Sequence, residues 1–73
     1  MYYRGEIPKG EVIGSEKTFV GNEFNGSQQT NYLVNSDGTE WVCFAVGGQE
    51  FTCYSNLELP FVKVAYERMA NKP

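Results

Sequence analysis

Residues Thr30–Ser55 read TNYLVNSDGTEWVCFAVGGQEFTCYS, and they hold two hairpin signals that share one middle strand, Thr39 to Val46. Asp37-Gly38 is a strong two-residue turn signal, and Gly47-Gly48 is a second. With a two-residue loop at the first turn, Ser36 faces Thr39, Val34 faces Trp41, Leu33 faces Val42 and Tyr32 faces Cys43. The same assumption at the second turn sets Val46 opposite Gln49, Phe44 opposite Phe51, Cys43 opposite Thr52, Val42 opposite Cys53 and Trp41 opposite Tyr54. Side chains alternate with period two along a strand, so these registers predict two faces. One carries Leu33, Val42, Phe44, Val46, Phe51 and Cys53 and is wholly apolar. The other carries Tyr32, Val34, Trp41, Cys43, Ala45, Glu50, Thr52 and Tyr54 and is aromatic and half polar.

The flanking sequence completes an α+β reading. After Ser55-Asn56, either of which can cap a helix, Pro60 suits a first turn, where a missing N–H is harmless. Phe61, Val62, Ala65, Tyr66 and Met69 fall on one stripe at helical spacing, which predicts a C-terminal helix laid across the apolar face. Met69 and Phe61 are then core. Before the two hairpins, Ile7-Pro8-Lys9-Gly10 suits a type I turn and predicts a small N-terminal hairpin within Met1–Gly14. Lys17–Val20 adds a further short strand. Gly21–Gln29 is polar, glycine-bearing and without periodicity, hence a loop. Phe24 is its one apolar residue, either tucked back to pin the loop or exposed as an anchor on it. The expected architecture is a single domain over 1–73, an antiparallel β-meander of four to five strands with one helix packed on one face.

A chain of 73 residues buries only roughly 60% of its unfolded surface, so nearly every large side chain must serve the core. Aromatics make up 15% of the residues and supply much of that area. The net charge is −3. Between Thr18 and Val62 there are five acids (Glu23, Asp37, Glu40, Glu50 and Glu58) and no base, while the six bases lie near the two ends. A nucleic-acid backbone demands the opposite sign. An acidic centre suits a partner protein with a basic surface. No apolar run reaches the eighteen or so residues that span a bilayer, and no secretory leader is visible, which predicts a reduced, cytoplasmic protein.

Catalytic chemistry finds little to work with. Histidine is absent, so neither serine nor cysteine has the usual base. Cys43 and Cys53 fall on opposite faces in the register above, and two thiols alone make no structural zinc site. The acids lack calcium-loop spacing, and the glycines lack the context of a phosphate loop. The expectation is a non-enzyme with no cofactor and no metal. Tyr32, Trp41 and Tyr54 adjoin one another on the aromatic face. Either the N-terminal segment (Tyr2, Tyr3, Ile7, Val12, Ile13 and Phe19) folds over them, or the patch stays open and binds protein, rimmed by Glu40 and Glu50. Aromatics on a sheet also describe single-stranded RNA platforms, but those add basic residues around the rings, and here the neighbours are Glu40, Glu50 and Thr52.

In whole-chain size, in the acidic run from Glu23 to Glu58 and in the Tyr32/Trp41/Tyr54 cluster, the sequence resembles the short transcription regulators that lytic phages direct against host RNA polymerase. The resemblance implies a phage-encoded effector in the host cytoplasm that binds polymerase, blocks initiation and alters termination. The expected function is therefore a monomeric, protein-binding regulator anchored by Trp41, Tyr32 and Tyr54, steered by Glu40 and Glu50, with Phe24 as a secondary contact. The alternative is an assembly protein that pairs with itself through an open strand edge.

Overall fold

The Asp37-Gly38 turn forms as its sequence dictates: both residues take positive φ (51° and 85°), and the Gly38 N–H donates to Asn35 Oδ1 at 3.1 Å. It joins two strands of the computed structural model, which describes residues 2–21, 24 and 26–71, the side chain of Tyr2 excepted. The strands are β1 (Tyr2–Gly5), β2 (Glu11–Val20), β3 (Ser27–Ser36), β4 (Thr39–Val46) and β5 (Phe51–Tyr54), followed by helix α1 (Pro60–Ala70). They form one antiparallel sheet in the order β1-β5-β4-β3-β2, with α1 on one face. The α+β antiparallel sheet with one C-terminal helix is the architecture the sequence leads one to expect, with β2 to β5 as a meander and β1 added beyond β5 by a crossover. Among the described residues no helix is long and apolar enough to cross a membrane.

The β3–β4 register agrees with the sequence reading at every pair, from Ser36↔Thr39 to Tyr32↔Cys43. The β4–β5 register differs by one residue: Val42 faces Tyr54, Cys43 faces Cys53 and Phe44 faces Thr52. The turn itself closes on Gly47-Gly48, with Gly47 at φ 61° and the Gln49 N–H donating to Val46 O at 3.2 Å. One extra residue then enters before pairing resumes, the effect of a β-bulge. A slip of one exchanges the faces of β5. Tyr54 and Thr52 move to the helix side, and Phe51 and Cys53 move to the other. Cys43 and Cys53, expected on opposite faces, are direct neighbours.

The N-terminal hairpin does not form. β1 pairs with β5 instead, in the register Tyr3↔Cys53 and Arg4↔Thr52. β2 is longer than its Lys17–Val20 signal and pairs with β3 at the opposite edge. Residues 6–10 therefore cross the sheet beneath β5, β4 and β3 as a strap. Ile7 packs on Val34, Cys43 and Cys53, and Gly10 meets β3 so closely that a Cβ there would lie 2.1 Å from Asn35 O. The hairpin loses because the apolar second face needs a cover, and Tyr3 and Ile7 supply it. β3 starts at Ser27, so the Gly21–Gln29 loop is shorter than expected; Asn22, Glu23 and Asn25 lie outside the described residues.

Two apolar layers result. On the helix side Leu33 and Val42 pack with Val62, Ala65 and Met69. On the strap side Val34, Cys43 and Cys53 are sealed by Tyr3, Ile7, Tyr32, Trp41 and Phe51. The helix begins at Pro60 with Leu59 as its N-cap, whose side chain has no acceptor to cap with, and Asn56 Oδ1 instead accepts the Glu58 N–H at 3.0 Å in the turn before it. Neither Ser55 nor Asn56 caps the helix. Its C-terminal turn comes down on Gly14, where a Cβ would sit 3.2 Å from Met69 Cβ; a larger residue would hold the helix off the sheet.

Candidate functional site

The mismatch in length between helix and sheet creates the site. Eleven helical residues span about 16 Å, whereas the ten residues of β3 span about 33 Å. The helix therefore covers the rows of Leu33 and Val42 and leaves the rows toward the Gly47-Gly48 turn open. A cleft of about 1170 Å³ lies between them. Phe44, Thr52 and Tyr54 form its floor, with Val46 and Gln29 at the far end. Phe61, Val64 and Arg68 of α1 form its wall.

Three rings dominate it. Tyr54 and Phe61 meet edge to face at 5.0 Å and 87°, Phe44 and Tyr54 at 5.8 Å, and Phe44 and Phe61 at 5.9 Å. These separations lie in the favourable range for aromatic pairs. The cluster is not closed over, since Phe61 is 53% and Val64 49% exposed. Exposed Arg4 from β1 and exposed Glu50 ahead of β5 also line the cleft. Arg4 reaches it because its partner Thr52 lies on the helix side.

A polar clamp holds the wall in place. Arg68 Nη2 and Nε donate to the Glu16 carboxylate at 2.8 and 3.0 Å. Asn31 Nδ2 donates to the same carboxylate at 2.8 Å, and Gln29 Nε2 donates to Asn31 Oδ1 at 2.8 Å. Bonding to Glu16 raises the Arg68 pKa further above its ordinary value. Tyr66 OH donates to Glu40 Oε1 at 3.2 Å, and that bond holds the Tyr66 pKa up. Burial pushes the Cys43 thiol well above its ordinary pKa, with the Cys53 thiol adding to the shift, and burial raises Cys53 as well. The thiols are thus biased away from the nucleophilic thiolate.

The six residues singled out by the sequence do not form one patch. Tyr32 and Trp41 lie on the strap side, half-buried; Tyr32 packs on Phe51 at 5.5 Å, and the Tyr3 ring stands edge-on to Trp41 at 5.1 Å. Tyr54 lies on the helix side and joins the cleft. Glu40 is also on the helix side, engaged by Tyr66, and Glu50 stays exposed beside the cleft. Phe24 is 86% exposed, so its ring is not buried in the core. Phe44, Phe61, Val64 and Arg4 are the cleft residues that the sequence reading missed. The signal was incomplete: Phe61 read as core, and the rows of β3 that stand clear of the helix begin at Ser27, inside the stretch that read as a loop.

Among the described residues no group of three His, Cys, Asp or Glu side chains is placed to hold a metal ion. Compared with protein-family models, with curated proteins and with solved structures, the chain matches none.

Proposed function

We propose that this chain is a non-enzymatic protein-binding domain whose binding site is the cleft between α1 and the open rows of the sheet. The observation that carries the reading is the unfilled aromatic cluster of Phe44, Tyr54 and Phe61, with Phe61 and Val64 left half open to solvent. Such a site fits an extended segment bearing one aromatic or branched aliphatic anchor, the arrangement that concentrates binding energy in a few side chains. The basic character of the partner rests on the wider field of the protein and not on the cleft lining. Strands β3 to β5 and their turns carry Asp37, Glu40 and Glu50 and no base, while in the cleft Glu50 stands with Arg4 and with Arg68, which is already paired to Glu16. Host RNA polymerase, the partner implied by the phage-regulator resemblance, is the first target to test.

The test is binding of purified bacterial RNA polymerase to immobilised protein, with Phe61→Ser and Val64→Glu alongside. Val64 is half exposed and has no ring partner, so Val64→Glu is expected to keep the wild-type melting temperature. Phe61→Ser also loses its ring pairs with Tyr54 and Phe44 and is expected to cost about 1–2 kcal/mol while staying folded. Each is expected to weaken binding by at least about tenfold, roughly 1.4 kcal/mol. Binding that ignores both variants overturns the cleft as the site. Failure of the wild type to bind removes polymerase as the partner.

One observation favours a second reading. β2 is an edge strand of ten residues on which Val12, Ile13, Phe19 and Val20 are exposed. A long apolar edge invites another strand, including that of a second copy. Sedimentation across a hundred-fold range of concentration, here meaning on the order of micromolar to submillimolar, distinguishes the two: a binding domain stays monomeric, and an assembly protein grows.

A further inference from the structure

Cys43 and Cys53 are opposed across β4 and β5, both wholly buried and both free thiols. The pairing pattern tells which kind of opposed pair they are. Ser36 and Thr39 flank a two-residue turn and exchange hydrogen bonds, so odd-numbered residues of β4 direct their backbone groups to β3. The bond from Gly47 N–H to Gln28 O (3.0 Å) continues that parity. Cys43 therefore does not bond to β5, and Cys43–Cys53 is the close, non-hydrogen-bonded type of pair, with Cα atoms ~4.5 Å apart. That spacing lies inside the range of about 4.4–6.8 Å that a disulfide bridges without backbone movement.

The part of the cover that Tyr3 and Ile7 supply hangs on a single strand pairing. Tyr3 lies on β1, a four-residue edge strand held by β5 alone, and its hydroxyl donates to Glu6 O at 3.0 Å within the strap. Ile7 of the strap packs beside it. Short edge elements open with less free energy than the whole molecule. Burial keeps the thiols inert while β1 and the strap are closed.

We infer that Cys43 and Cys53 form a redox site: a dithiol that a low-molecular-weight disulfide of the glutathione class oxidises to an intramolecular disulfide when β1 and the strap swing away. One thiol loses its proton and attacks a sulfur of the small disulfide, forming a mixed disulfide and releasing a thiolate that is protonated in solvent. The second thiol loses its proton and attacks the protein sulfur of that mixed disulfide. The Cys43–Cys53 bond forms, and the second small thiol leaves. Two electrons pass from the protein to the small disulfide, which ends as two thiols. Phe44 on one side, and Thr52 and Tyr54 on the other, flank the pair, so the bond ties together the two strands that floor the cleft.

The experiment exposes the full folded chain to oxidised glutathione, quenches with acid, alkylates under denaturing conditions and reads intact mass and cross-linked peptides. The expected product has lost two hydrogens, takes up no alkylating agent and yields a Cys43–Cys53 peptide pair. Tyr3→Ala is expected to speed the reaction several-fold, and Cys53→Ser to halt it as a glutathione adduct on Cys43. Two alkylated cysteines after prolonged exposure, a lasting glutathione adduct on the wild type, or disulfide-linked dimers each overturn the inference. An unchanged rate in both Tyr3→Ala and a strap variant, Ile7→Ala, overturns the gating role of β1 and the strap.

Discussion

Asn31 is the buried polar residue of the helix-side layer, and both ends of its amide are used, toward Glu16 and from Gln29. Removing a buried hydrogen-bonding group leaves its partners short, so Asn31→Ala is expected to lower unfolding free energy by about 1–3 kcal/mol in urea titration. Arg68→Ala, which breaks a pair with one partner 49% exposed, is expected to cost no more than about 1 kcal/mol. The strap-side layer sets the response to alkali. Burial raises both thiols above 9.0, and burial with the nearby thiols raises Tyr3 from 10.0 to about 12. Each group is thus harder to deprotonate folded than unfolded. Above the unfolded values the native state holds more protons, so stability that is fully present below pH 9 falls as pH rises. Under reductant, the melting temperature is expected to stay level to about pH 9 and then drop. In a Cys43→Val/Cys53→Val variant the drop is expected to begin nearer pH 10, where Tyr3 and Tyr66 remain. A drop at the same pH in both proteins would assign it to other groups.

Among the elements, those set by local signals were legible and those set by distant competition were not. Asp37-Gly38 fixes its own turn type, and the β3–β4 register follows from it. Of the helical stripe Phe61, Val62, Ala65, Tyr66 and Met69, the structure buries Val62, Ala65 and Met69 and half-buries Tyr66, but Phe61, expected in the core, is 53% exposed because it lies past the rows the helix covers. Gly47-Gly48 gave the turn but not the extra residue after it, because two-residue and bulged closures share the same glycine signal. That single residue exchanged the faces of β5, separated Tyr54 from Trp41 and brought Cys53 beside Cys43. Ile7-Pro8-Lys9-Gly10 misled for a different reason. Its turn chemistry was sound, but the second face had no other cover, and burial of Tyr3 and Ile7 outweighs a short hairpin, which is marginal in isolation. The strap makes a sharp demand at Gly10, where any side chain meets the backbone carbonyl of Asn35. Gly10→Ala is expected to cost about 1–3 kcal/mol or more in unfolding free energy by overpacking. It is also expected to raise thiol accessibility to a maleimide reagent. A variant as stable as the wild type would show that the strap does not pass so close to β3.

At the scale of the molecule, charge and apolar contact have separate jobs, and kinetics can separate them. A chain of net charge −3 whose central strands bear only acids draws a basic partner over several ångströms, whereas the rings of the cleft act only on contact. Raising salt from about 50 to 500 mM shortens the screening length from ~14 to ~4 Å and is expected to slow association by about tenfold while leaving dissociation nearly unchanged. Phe61→Ser is expected to do the reverse, speeding dissociation with little effect on association. The β2 edge supplies the control, because the sheet order places β2 at one edge and β4–β5, which floor the cleft, away from it. Phe19 is 65% exposed there, so Phe19→Lys is expected to block any strand-to-strand pairing of copies and to leave partner kinetics alone. If Phe19→Lys instead abolishes partner binding and Phe61→Ser does not, the partner adds a strand to the sheet, and the cleft is not where it binds.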